Sequence, residues 1–118
     1  EVFWNDRPVR TARELLRACC ATSEDASLFS RRGWLGTSVL QGMMLRAGEV
    51  TRLLVITRDG EAGALAARFD DAYPKLRMRA CYCSVFDECW VSNLETLHPQ
   101  RTTSCPKPEV AFAPPTTP

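Results

Sequence analysis

The sequence predicts an α+β domain: N-terminal helices packed on a small sheet of three or four strands, with a βαβ-like segment and disulfide cross-links. Three observations point there. Capping signals followed by apolar residues at helical spacing open the chain. An apolar tetrad, a helical repeat and an alternating stretch follow in the middle. Six cysteines complete the picture, four of them in roughly the last third.

Residues 1–9 read as an extended lead-in carrying Phe3 and Trp4, with a turn-like Asn5-Asp6-Arg7-Pro8. Thr11 and Glu14 form a capping box, each side chain satisfying the other's free backbone N–H. Ala12, Leu15, Leu16 and Cys19 then share one helix face, with Arg10, Arg13 and Arg17 opposite. This spacing turns Cys19 inward and leaves Cys20 on the flank, about 100° round the axis. Ser23-Glu24-Asp25 marks a second helix start, with Leu28 and Phe29 as its apolar residues and Gly33 as its stop. A third segment runs from Ser38 to about Ala47, on the stripe Val39, Leu40, Met43 and Met44. Gly36 and Gly42 keep a strand through 34–40 as the alternative.

Residues 50–57 read as a strand, and the run Leu53 to Ile56 is apolar on both faces, as in a central strand covered on both sides. Asp59-Gly60 turns the chain. Ala62, Leu65, Ala66, Phe69 and Tyr73 make an amphipathic helix that Pro74 stops. Residues 75–85 alternate, with Leu76, Met78 and Ala80 against Arg77, Arg79, Cys81 and Cys83. Strand, helix and strand suffice for a right-handed βαβ crossover, with antiparallel pairing as the alternative. Phe86, Trp90, Val91 and Leu94 belong to a further strand or an ordered loop. The domain spans 1–105. Residues 106–118 hold five prolines and read as a Pro/Thr-rich flexible tail or stalk.

A chain of 118 residues fits one domain, and 45% hydrophobic with 25% charged residues is the composition of a folded protein. No apolar run reaches the roughly 18 residues of a membrane helix, so no transmembrane segment is expected. The start at Glu1, without Met or a signal peptide, suggests a processed or truncated chain. Net charge is +1, which supplies no global field for nucleic acid. The cations are thirteen Arg against two Lys. Arginine suits bidentate recognition of carboxylate, phosphate or sulfate. Arg10, Arg13, Arg17, Arg77 and Arg79, with Trp34, are therefore the candidate binding residues, and an acidic protein surface or a sulfated glycan is the matching partner. Solvated helix and strand faces account for the same arginines more simply.

Cys19, Cys20, Cys81, Cys83, Cys89 and Cys105 form an even set without paired metal-binding knuckles, which reads as disulfides and an oxidising compartment. The expected pairing joins Cys19 and Cys20 to Cys81 and Cys83, and Cys89 to Cys105. A zinc site using the last four cysteines and His98 is the weaker alternative. Catalysis lacks its parts: one histidine, no nucleophile motif, no phosphate loop, and carboxylate pairs only at adjacent positions. No cofactor or metal is expected. The functional expectation is a non-catalytic recognition module, extracellular or at the cell surface, acting as an ectodomain or subunit and binding a protein. A freely secreted ligand or effector is the alternative, ahead of an intracellular zinc module. As a subunit it would use Phe3, Trp4 and Trp34 as contacts.

Overall fold

The computed structural model of the chain describes residues 1–37, 44–46, 48–50, 52–96 and 98–112. It is α+β, with small antiparallel sheets around two helices.

The lead-in is a hairpin. Strands β1 (Val2–Trp4) and β2 (Arg7–Val9) pair antiparallel across Asn5 and Asp6. Both turn residues are left-handed, at φ 49° and 62°. That is the two-residue turn whose twist matches a hairpin, and Asn and Asp tolerate it best after glycine. Pro8 lies in an edge strand, where its missing N–H costs no ladder bond.

Helix α1 (Ala12–Cys19) starts on Thr11, whose Oγ1 accepts from the Glu14 N–H at 3.1 Å. The Glu14 carboxylate accepts from the Arg10 N–H at 2.8 Å, one residue earlier than a capping box requires. The helix feeds two apolar clusters from adjacent positions. Leu15 packs with Val2, Val9 and Leu76. Leu16 packs with Cys20, Leu28, Phe29, Trp34, Ala62 and Leu65. Each such buried aliphatic contributes about 1.5–3 kcal/mol. Phe69 packs on both clusters and joins them.

The second predicted helix is two 3-10 turns, Ser23–Asp25 and Leu28–Ser30. Asp25 explains the tight turn. Its carboxylate accepts from the Thr22 N–H at 2.8 Å and from Arg68 at 2.6 Å, while Arg68 Nε donates to the Cys20 carbonyl at 2.7 Å. Arg68 thus ties the end of α1 to helix α2 (Gly63–Ala72). The Thr22 N–H foremost, and then the Arg68 charge, hold the Asp25 carboxyl below its usual pKa against the opposing effect of burial.

Strand β3 (Leu35–Thr37) pairs with β4 (Leu54–Ile56) in a two-stranded sheet, so the strand alternative holds at 35–37. The rest of the proposed Ser38–Ala47 segment falls mostly outside the described residues, and its described residues 44–46 carry no regular structure. The reading of Leu53–Ile56 as a doubly covered central strand is corrected: Val55 is 43% exposed. The expected βαβ crossover is corrected as well. Strand β5 (Arg77–Met78) pairs with β1, in the order β2-β1-β5, and every described strand pair is antiparallel. Strand β4, the expected parallel partner of β5, pairs instead with β3 in a separate sheet.

Gly63 opens α2 where a Cβ would sit 2.5 Å from the Arg58 carbonyl oxygen. Helix α2 runs on through a 3-10 turn at Tyr73–Lys75, with Pro74 in its first turn, where its missing N–H does no harm.

The remaining strands form a separate sheet. Strands β6 (Ala80–Cys83), β7 (Cys89–Ser92) and β8 (Gln100–Thr102) lie in the order β6-β7-β8. Residues 80–105 make up this β-lobe. After it, residues 106–112 have no helix or strand, and Phe112 packs beside the cluster of Val2, Val9, Leu15 and Leu76.

Candidate binding surface

The β-lobe has two unlike faces because strand residues alternate. One carries cysteines. Cys83 and Cys89 stand directly opposite across β6 and β7 and are bridged, with Cα atoms 4.0 Å apart. Cys81 is bridged to Cys105, just beyond β8, across 5.6 Å between Cα atoms. Cys19 and Cys20 bridge each other at the end of α1.

All six cysteines are therefore in disulfides, but not in the expected pairs. Two structural facts explain the correction. Cys20 packs in a cluster that includes no β-lobe residue. The antiparallel ladder sets Cys83 opposite Cys89, so the nearest sulfur lies across the hairpin. The facing of the doublet also reverses. Cys20 leaves the helix at φ −143° and is buried, while Cys19 is only half-buried.

The other face carries a cross-strand row. Tyr82 stands opposite Trp90, and Trp90 opposite Arg101. The two rings stack, with centroids 5.8 Å apart and planes 26° from parallel. The Arg101 guanidinium lies 5.4 Å from the Trp90 ring centre and 3.6 Å from a Glu88 oxygen. An aromatic pair of this kind adds about 0.5–1.5 kcal/mol beyond its burial. Tyr82 is nonetheless 47% exposed.

The hairpin tip joining β6 to β7 is held by its own hydrogen bonds. The Ser84 N–H donates to the Glu88 carbonyl at 2.7 Å, and the Asp87 N–H to the Ser84 carbonyl at 3.1 Å. Ser84 Oγ accepts from the Phe86 N–H at 3.2 Å. Asp87 takes the left-handed conformation, at φ 58°. On this frame Val85 and Phe86 are each 83% exposed. Two bare apolar side chains on a cross-linked turn, beside an aromatic and arginine row, have the composition of an interface centre.

Most of the residues chosen from sequence are occupied otherwise. Trp34, expected as a contact, is buried; its indole N–H donates to the Arg31 carbonyl at 3.1 Å and its ring meets Phe29 edge-on. Arg13 donates to the Phe29 carbonyl, and Arg17 stacks over the Phe29 ring at 4.7 Å. Arg79 pairs with the Glu1 carboxylate. Arg10 and Arg77 are exposed. Phe3 and Trp4 are half-buried in the N-terminal hairpin. Arg13, Arg17 and Arg79 thus have partners within the fold. Sequence reasoning passed over Val85 and Phe86 as a contact; the signal available was an apolar pair between Cys83 and Cys89, where a turn would be expected to be polar.

His98 is exposed, and one open depression, about 380 Å³, is lined by Arg31, Trp34, Thr57, Asp59 and Glu61 among others, with Glu61 bound to Arg31 at 2.7 Å. No described helix is long and apolar enough to cross a membrane. No protein-family model matches the chain, and neither a curated protein nor a solved structure is similar to it.

Proposed function

We propose that this chain is a non-catalytic recognition module of an oxidising, extracytoplasmic compartment, and that it binds a protein partner through the β-lobe. One observation carries the reading: Val85 and Phe86 stand 83% exposed on a turn that the disulfides and its own hydrogen bonds hold in place. Solvent exposure of such a pair has no folding benefit, whereas pre-ordering lowers the entropy cost of docking it. The disulfide set supports the compartment. The role of ectodomain or subunit is preferred over that of a free ligand because Met44 and Val50, outside the lobe, are also 85% and 87% exposed, which suits a chain that is held in an assembly.

The test is photo-crosslinking in the source cells. A photoreactive side chain at Phe86 should capture one discrete protein at the cell surface or in the medium, and the same group at Glu24 should not. Equal capture at both positions, or capture at neither, refutes the reading.

A further inference from the structure

The apolar tip of the β-lobe has a counterpart elsewhere on the same chain. An open groove of about 270 Å³ between β4 and α2 is lined by Leu54, Ile56, Ala66 and Phe69, with Arg52 and Arg58 beside them. Its volume lies just under the roughly 300–1,000 Å³ of small-molecule sites, so it suits an inserted side chain better than a free ligand. Leu54, Ile56 and Phe69 are half-buried, which leaves apolar surface open along the groove. Arg58 is taken: its guanidinium donates to both Asp70 carboxylate oxygens, at 2.6 and 3.3 Å. Arg52 is exposed and makes no ion pair among the described residues. The groove thus offers apolar surface beside one unneutralised cation.

The tip offers the complement. Val85 and Phe86 are followed by Asp87, which makes no ion pair among the described residues, and by Glu88, whose contact with Arg101 is a loose 3.6 Å. The two regions differ in charge in the same sense. Residues 80–105 carry three carboxylates against one arginine, and residues 1–79 carry thirteen Lys and Arg against ten Asp and Glu. A tip approaching the body of another copy is therefore attracted at a distance as well as at contact.

Given the contact role proposed above for the tip, we propose that its partner is a second copy of this chain, with Phe86 inserted in the β4–α2 groove and Asp87 paired to Arg52. Tip and groove are different patches, so the contact is head-to-tail. It leaves a free tip at one end and a free groove at the other, and copies add until a ring closes or a filament grows. The contact is small, so association is weak in dilute solution and strengthens where copies are held close together.

The test uses the purified full chain with its disulfides intact. Sedimentation should show the weight-average mass rising over about a hundredfold range of concentration. Phe86→Ser should weaken association by about tenfold or more, as for an aromatic anchor. Asp87→Asn keeps a residue that tolerates the left-handed turn, and it should weaken association about threefold, the size of an exposed ion pair. Arg52→Gln should do the same, and the double variant should be no weaker than either alone. A photoreactive group at Phe86 should give a product of twice the chain mass, joined within residues 52–58 or 66–70. A wild-type chain that stays monomeric at every concentration overturns the inference. So does a cross-link that maps outside the groove, which needs no charge variant to interpret. A monomeric chain whose Phe86 captures a different protein in cells overturns this partner alone and leaves the proposed function standing.

Discussion

The body formed by residues 1–79 and the β-lobe of residues 80–105 are stabilised by different physics. The body has two apolar clusters fed by α1, with Leu16 and Leu65 fully enclosed. The β-lobe buries one apolar residue among those described, Cys89, and that residue is itself a cross-link. A three-stranded sheet of 3–4 residues per strand is marginal in water. Two bridges supply what a core would, by restricting the unfolded chain. The difference teaches where recognition can sit. A region held by cross-links has no need to hide its apolar side chains, so Tyr82, Val85 and Phe86 remain on the surface.

The largest test of this contrast is in the body. Leu65→Ala should remove about 4 kcal/mol, the cost of a cavity at a fully enclosed leucine, read by denaturant unfolding of the helical signal. Hydrogen exchange of β6–β8 should stay slow in that variant; equal loss of protection in both regions would break the contrast. Next, the paired change Cys81→Ser/Cys105→Ser opens a loop of 24 residues' separation and should cost the β-lobe about 3.5 kcal/mol. Limited proteolysis should then cut within 80–105 while α1 and α2 remain intact.

A smaller effect sharpens the account of the body. Gly63→Ala would ordinarily favour a helix by up to about 1 kcal/mol. Here the added Cβ meets the Arg58 carbonyl oxygen at 2.5 Å, so a loss of about 2 kcal/mol is expected, measured as a lowered Tm. The smallest concerns Asp25. Its carboxyl titrates below the usual value in the folded chain, so its contribution is complete above pH ~4 and disappears as pH falls through the lowered native pKa. Asp25→Asn should cost about 1.5 kcal/mol at pH 7 and flatten the acid limb of the stability curve.

Local elements were legible where their signals are local. Thr11 and Glu14 located the start of α1, and Asp59-Gly60 and the apolar spacing located α2; the alternation of 75–85 located extended chain, but as one strand, where the structure breaks it at Arg79 into β5 and β6 of separate sheets. In sequence, residues 1–9 show only an extended lead-in with a turn and not a paired hairpin, because three-residue strands are too short to display a period. Asp25 offered no sign that it would compress a helix start into a 3-10 turn, since its partner Arg68 is 43 residues away. The candidate contact was hidden for a similar reason. Val85 and Phe86 look like strand residues in sequence, and the register that sets Cys83 opposite Cys89 places them on an exposed turn.

By itself the sequence determined the α+β class, the start of α1 and both ends of α2 within a few residues, and the use of its cysteines in cross-links. Those follow from capping, periodicity and composition, which act over a few neighbouring residues. Only the tertiary structure decided which sulfurs join, which sheet each strand enters, and which aromatics face water. Trp34 and Trp90 are chemically identical, yet one closes a core and the other lines a surface row. That choice depends on strand register and on contacts between residues far apart in the chain, which no local pattern encodes.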